Sequence, residues 1–431
     1  MRAVIIGLDG MPYRLIADLA ERGVMPNMRT LIAEGAFREM DSSIPEVSSV
    51  AWSSIITGKN PGEHGIFGFT DLSPGSYRLT FPSFADLKAA PFWEREGSGR
   101  AAIINVPSTY PATARAMNGV LISGFVALKL EKAVYPPSLA PELERLDYRL
   151  DVDSGLAHRS LELFLEDLQR TLASHIAACR WLWEKEEWET FMIVFTTTDR
   201  LAHFLWEAYE DEGHPYHWAF LAHLRKIDQA IGEIAAGLDE RDLLIALSDH
   251  GFERLEEEVH VNLILKEEGF LELEEAPSAP DLEAISSKTK AFALDPARIY
   301  INLRGRFPRG SVEPKDKERM IAELLDLFAG LELHGRRVVR RACRKEEIYH
   351  GPWLERAPDL VLLPERGFTF RARLEFAAQA GGASHFTGKH AQEGAFLLVK
   401  GEGAQEVLPP NLKPGVADVV GLIDRLRQSE R

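Results

Sequence analysis

Short apolar runs rich in Val and Ile alternate along the chain with longer segments whose apolar residues recur at helical spacing. This is the pattern of a mostly parallel sheet covered by helices on both faces. The runs predict strands near 2–8, 101–105, 119–124, 191–197, 242–248, 359–363 and 395–399. The helical periods predict helices near 13–22, 26–34, 160–185, 215–237, 314–330 and 415–428. The expected fold class is therefore α/β. Two stretches break the rhythm. From 255 to 345 the chain turns acidic (ERLEEE, EEGFLELEEAPSAP) and holds one isolated strand-like run, ARIYINL (297–303), which reads as an inserted cap between the two parts of a core, 1–254 and 346–431. The stretch 72–160 is rich in Pro and Gly turns and reads as decoration near the active edge of the sheet.

Composition narrows the function class. With 45% hydrophobic, 27% charged and 9% aromatic residues over 431 positions, disorder, collagen-like repeats and a coiled coil are excluded. A formal charge of −16 repels polyanions, which argues against a nucleic-acid polymer or an anionic membrane as partner and favours a small substrate. Only Cys179 and Cys343 occur, too few for a disulfide framework. The opening MRAVIIGLDG lacks the length of a secretory signal, and no run reaches the length of a membrane span. A cytoplasmic protein is expected, its oligomeric state left open.

Three of the apolar runs end alike: AVIIGL stops at Asp9, FMIVFTTT at Asp199 and DLLIALS at Asp249. In an open parallel sheet the carboxyl ends of the strands line the ligand crevice, so carboxylates there converge in space. A single such Asp reads as a helix N-cap. The neighbours change that reading: His203 follows Asp199 by four, one helical face, and His250 follows Asp249 directly. Asp and His together at strand ends suit a divalent metal such as zinc. In IPEVSSVAWSSIITGKNPGEHGIFGF (44–69), Ser48 and Ser49 both stand at the start of a short helical run, where either serves as a cap. A serine beside a dication and a helix N-terminus is also an activated nucleophile, and metal plus serine points to phosphoryl or sulfuryl transfer. The remaining histidines, among them His158, His175, His214, His217, His223 and His260, read as core or surface residues, and the acidic runs 255–258 and 271–275 as solvated faces.

Read together and in order, GLDG (7–10), PEVSSVAWSSIITGKNPGEHGI (45–66), TDRLAH (198–203), SDHGF (248–252) and TGKHAQEGAF (387–396) resemble the alkaline phosphatase superfamily. The nearest branch is the type I phosphodiesterase/nucleotide pyrophosphatase group with its bacterial phosphohydrolase and phosphomutase relatives. The resemblance runs from Asp9 to beyond His390. It implies a three-layer α/β/α sandwich with a mostly parallel central sheet and inserted cap segments. It also implies two divalent ions, most often Zn2+ and in some branches Mn2+, a Ser or Thr nucleophile and a covalent phosphoenzyme. Carried over position by position, Asp199, His203 and His390 bind one ion and Asp9, Asp249 and His250 the other, with the nucleophile bridging them. The family's spacing, nine residues back from Thr57, falls on Ser48 and not on Ser49, with Trp52 at the Trp-like position. His64 matches a motif position that supports the loop, and His385 is a rival to His390, whose register in GKHAQEG fits better.

One position departs from the pattern. Where nucleotide pyrophosphatases of the family carry a phosphate-contacting Asn, 21 positions after the nucleophile, this chain has Phe69. An apolar ring donates no hydrogen bond, which argues against nucleotide pyrophosphatase specificity. Asn105, Thr109, Tyr110, Lys59 and Lys389 are candidates to replace it. The expected activity is hydrolysis of a phosphodiester or phosphomonoester of a small molecule through Ser48. The alternatives are a phosphomutase using the same serine and a non-catalytic metal-binding module. A sulfatase is disfavoured because Ser48-Ser49-Val50-Ala51-Trp52 lacks the Pro and Arg that its modified residue requires.

Overall fold

The computed structural model describes residues 1–274, 282–374 and 385–429. The chain forms two compact units. The first comprises Met1–Asn60, Ser83–Glu253 and His385–Arg431, the second Pro61–Pro82 and Arg254–Ser384.

The first unit is built on an eight-stranded sheet. Its order is Ala36–Met40, Ala395–Lys400, Leu243–Leu247, Ala3–Leu8, Thr190–Phe195, Ala101–Val106, Gly119–Ser123 and Val134–Tyr135. The five strands from Leu243–Leu247 through Gly119–Ser123 run parallel, and the outer three are antiparallel to their neighbours. Every residue of those five strands is buried, which is why they read as unbroken apolar runs and not as alternation. Val4, Ile6 and Leu8 face a core shared with the helices Tyr13–Glu21, Pro26–Glu34, Leu161–Lys185, Thr197–Glu210 and His217–Ala236. Gly7 points the other way, onto Trp52 of the helix Ser48–Thr57; a Cβ at Gly7 would lie 2.4 Å from the indole. The expected α/β class with its mostly parallel sheet is found.

Some elements of this unit were missing from the sequence reading or only partly read, for physical reasons. The strand Ala36–Met40 carries Arg38 and Glu39 side by side and so has no clean alternation. The helix Ser48–Thr57, expected only as a short helical run starting at Ser48 or Ser49, is buried on all sides, so it has no polar face to set a period. Thr197–Glu210 begins two residues after the strand Thr190–Phe195, so the expected strand end at 197 falls inside a helix.

In the second unit Ala291–Leu294, Arg298–Ile301, Leu360–Pro364 and Val339–Arg344 form an antiparallel sheet in that order. The helix Lys317–Ala329 packs its Met320, Ile321, Leu324 and Phe328 into the same core. The insertion was expected to close at 345. The strand Leu360–Pro364 instead pairs with Arg298–Ile301 and Val339–Arg344, so the compact unit extends past 345, and the strand expected at 359–363 lies here and not in the central sheet. The stretch 72–160 divides at Pro82, and its later part supplies three strands of the central sheet. Among the described residues no helix is long and apolar enough to cross a membrane.

Candidate metal centre

Topology gathers the three aspartates. Leu243–Leu247, Ala3–Leu8 and Thr190–Phe195 are adjacent parallel strands, so the residues following them share one sheet edge. Asp9 and Asp249 leave the first two strands directly or after one residue, and Asp199 stands in the first turn of Thr197–Glu210. Gly10 makes the turn after Asp9 with φ +69°, and any Cβ there would press on His250 and the Asp199 carboxylate at 3.1 and 3.3 Å. Its amide donates to Asp249 Oδ1 at 3.1 Å, and the Thr198 hydroxyl donates to the Asp9 carbonyl at 2.6 Å, tying the three strand ends together.

Two triads of ligand-type atoms result, Asp199 with His203 and His390, and Asp9 with Asp249 and His250; within each, the atoms lie within 4.8 Å of one another. In the first, His203 Nε2 and His390 Nε2 stand 2.9 Å apart and 3.4 and 3.0 Å from Asp199 Oδ1. In the second, His250 Nε2 lies 3.4 Å from Asp249 Oδ2 and 3.8 Å from Asp9 Oδ1. The triads adjoin, since the His250 and His390 rings stack with centroids 3.7 Å apart. Ser48 Oγ lies 3.2 Å from His250 Nε2 and 3.4 Å from Asp9 Oδ1. Ser49 turns its carbonyl to the Ser53 hydroxyl, and its own buried hydroxyl has no hydrogen-bond partner.

The tautomers decide whether these residues fit a metal. His203 Nδ1 faces the Gly388 carbonyl at 3.1 Å, His390 Nδ1 the Glu46 carbonyl at 2.9 Å and His250 Nδ1 the Gly251 carbonyl at 3.0 Å. A carbonyl only accepts, so each Nδ1 carries the proton and each Nε2 presents a lone pair inward. Two lone pairs facing at 2.9 Å repel unless something positive lies between them. Tetrahedral ligands around zinc, at about 2.0–2.1 Å each, stand roughly 3.3 Å apart, which matches the edges of the first triad. Asp249 Oδ2, fully buried, accepts no hydrogen bond. The residues therefore fit divalent cations.

The electrostatics agree. Burial, then Asp249 and Asp199, push the Asp9 carboxyl well above its ordinary range, and burial pushes Asp249 up to about 7. Burial lowers His250 to about 4 and also lowers His203 and His390, keeping all three imidazoles neutral. For Asp199 burial acts upward and the carboxyl is nonetheless held low; with the imidazoles neutral, the charged neighbour that acts downward is the Arg200 guanidinium. Arg200 was not foreseen from the sequence. It donates to Asp199 Oδ2 at 3.2 Å and to Asp151 Oδ2 at 2.8 Å, and its guanidinium lies 4.2 Å over the Phe125 ring.

The structure brings Asp9, Ser48, Asp199, His203, Asp249, His250 and His390 together and leaves the other candidates elsewhere. His385 packs on His158 with ring centroids 4.4 Å apart. His64 is buried in the second unit, where burial lowers it to about 3, and Phe69 belongs to that unit too. Lys389 pairs with Glu253 at 2.8 Å, Lys59 is exposed and Thr109 donates to the Val106 carbonyl at 2.6 Å. Asn105 accepts from the Tyr148 hydroxyl, while its buried side-chain amide has no acceptor.

The model of the type I phosphodiesterase / nucleotide pyrophosphatase family matches residues 3–390. A search of curated proteins finds no match. Among solved structures, phosphonoacetate hydrolase from Sinorhizobium meliloti 1021 in complex with phosphonoacetate is similar with TM-score 0.66 and 15% identity, over 99% of this chain and 95% of that one. Murine ectonucleotide pyrophosphatase/phosphodiesterase 5 is similar with TM-score 0.56 and 13% identity over the same shares. These neighbours share the alkaline-phosphatase-like fold expected from the sequence.

Proposed function

Since the chain belongs to the type I phosphodiesterase/nucleotide pyrophosphatase family and is by that membership a phosphoester hydrolase, we propose that it cleaves a phosphodiester or phosphomonoester of a small molecule through Ser48 at a two-metal centre. The observation that carries this reading is the set of three imidazoles with Nε2 turned inward, next to one serine hydroxyl. Asp199, His203 and His390 would hold one divalent ion, and Asp9, Asp249 and His250 the other, with Zn2+ favoured by the His and Asp donor set and Mn2+ acceptable to it. Such ions, when bound, lower the pKa of a coordinated hydroxyl and neutralise charge on phosphoryl oxygens.

The chain's own residues supply position. Ser48 is the first residue of Ser48–Thr57, so its hydroxyl stands at a helix N-terminus, where the aligned peptide dipoles favour both an alkoxide and phosphate oxygens. Trp52 against Gly7 fixes that helix on the sheet, and the hydroxyl is 4% exposed with its residue, which limits competing water. Ser48 Oγ forms a bond to phosphorus as the ester oxygen departs, and the proton the serine loses passes through solvent to the departing oxygen. Water then attacks the same phosphorus, the Oγ–P bond breaks and Ser48 regains its proton. Among the candidates to replace the missing phosphate-contacting Asn, Asn105 is the one whose buried side-chain amide is uncommitted.

The test is turnover of bis-(p-nitrophenyl) phosphate beside p-nitrophenyl phosphate with zinc or manganese supplied. Ser48→Ala is expected to lower turnover by roughly 10³-fold or more at unchanged metal content, as loss of a nucleophile does. Faster diester turnover assigns a phosphodiesterase, and a monoester preference a phosphatase. Return of the phosphate to a second hydroxyl of the substrate, without free phosphate, assigns a mutase. Metal bound with no turnover of either ester contradicts the proposal.

A further inference from the structure

The antiparallel sheet of the second unit holds a buried carboxylate with more positive charge around it than it neutralises. Asp359, fully buried just before the strand Leu360–Pro364, accepts at Oδ2 from the Ile301 amide at 2.9 Å and from Arg306 at 3.0 Å. Its Oδ1 faces two ammonium groups, Lys317 Nζ at 3.0 Å and Lys345 Nζ at 3.9 Å. Arg306 is otherwise committed, donating to the Arg356 and Ala357 carbonyls at 3.2 and 2.9 Å. Lys345 is not. Its side chain is 3% exposed, its two carboxylate neighbours stand at 3.8 and 3.9 Å, and neither is close enough to accept a hydrogen bond. The nearer of them, Glu355, has a side chain 92% exposed, where water screens it, and Glu346 beside Lys317 is also exposed.

An ammonium left with little water and no acceptor within hydrogen-bond distance is poorly compensated, and an anion supplied from solution would complete it. Burial accordingly lowers the pKa of Lys345. Three cations against Asp359 and the exposed, screened Glu355 leave a net surplus of one to two positive charges, which a phosphate carrying one or two negative charges would balance. Lys317 and Lys345 approach the same carboxylate oxygen, so one tetrahedral oxyanion spans both, and Lys317, 20% exposed, gives a route from solvent.

We propose that Lys317 and Lys345, backed by Arg306, form a phosphate-binding site in the second unit, distinct in its residues from the metal centre. The phosphate is either free or the terminal group of a small organic molecule. The site is independent of the catalytic reading, because none of its residues is assigned to that reading.

Equilibrium dialysis of the metal-loaded protein against labelled inorganic phosphate tests this. Wild type is expected to bind one more phosphate per chain than Lys345→Met, with equal metal content in the two. Lys317→Gln, at a partly exposed position, carries the same expectation should Lys345→Met fail to fold. Equal stoichiometry in wild type and the folded variants overturns the proposal. Displacement of the label by glycerol phosphate at tenfold lower concentration than by unlabelled phosphate assigns the site to an organic phosphate. Equal or weaker displacement assigns it to the free ion.

Discussion

In the first unit three buried carboxylates, Asp9, Asp199 and Asp249, face one guanidinium, that of Arg200, and three imidazoles that burial keeps neutral. In the second unit one buried carboxylate, Asp359, faces Arg306, Lys317 and Lys345. Both clusters gather ionisable groups around buried carboxylates, and each is left with a surplus of one sign. Burial makes such a surplus expensive unless a ligand of opposite sign completes it. The sign of the surplus therefore indicates the ligand: cations for the first cluster, an anion for the second.

The largest difference between the clusters should appear on neutralising one carboxylate in each. Asp359→Asn leaves three cations around an amide and is expected to destabilise by about 3–5 kcal/mol, as breaking a buried ion pair does. Asp249→Asn should act in the opposite direction in metal-free protein at pH 8. The Asp249 carboxyl titrates at about 7 when folded, above its ordinary value of 3.8, so its cost to folding accumulates as the pH rises between those values and is fully present at pH 8. Urea unfolding of both variants checks the pair of signs. With metal bound, Asp249→Asn should become destabilising.

Arg200 is the single cation of the first cluster, and its ion pairs are with Asp199 and Asp151. Arg200→Ala is expected to weaken metal binding by about 10–100-fold, the usual scale for a residue that orients a ligand. Arg200→Lys should recover part of this. Competition with a chromophoric chelator reads the affinity directly, apart from turnover.

Gly7→Ala probes the packing beneath Ser48. A methyl group 2.4 Å from the Trp52 ring forces that helix to shift, at a cost of about 1–3 kcal/mol. A lowered melting temperature together with lowered turnover at full metal content is the expected result, because the displaced helix begins at Ser48.

The units differ least in acid lability, where they behave alike. Burial lowers His175 to about 4 and His223 to about 3 in the first unit, and His64 to about 3 in the second. Each is held neutral in the fold and charges more readily when unfolded. Its contribution is whole above pH 6.5 and declines as the pH falls from there toward the folded value, by up to about 1.4 kcal/mol per pH unit for each group. Unfolding midpoints measured between pH 7 and 4 should fall, and His223→Gln should flatten that fall.

The two clusters also differ in how far they could be read in advance. The metal-centre residues stand in short contiguous motifs at the ends of apolar runs, so strand prediction alone places Asp9, Asp199 and Asp249 on one edge. His203 and His250 follow by helical and sequential adjacency. What orients them is invisible in sequence, since the carbonyls of Gly388, Glu46 and Gly251 belong to the backbone and any residue supplies one. Arg200 adjoins Asp199 yet carried no signal, because its partner Asp151 lies 49 positions away. The second cluster was illegible altogether. Arg306, Lys317, Lys345 and Asp359 come from four separate segments with no spacing rule between them, and only the antiparallel pairing of Leu360–Pro364 with its neighbours assembles them.

The most direct test of the catalytic reading is rapid quenching of the zinc- or manganese-loaded protein during turnover of p-nitrophenyl phosphate, followed by peptide mass spectrometry. A phosphoryl group on the peptide that carries Ser48, absent from Ser48→Ala and lost as substrate is exhausted, is the predicted result. Undiminished turnover by Ser48→Ala, or a phosphoryl group carried by Ser49 instead, would contradict it.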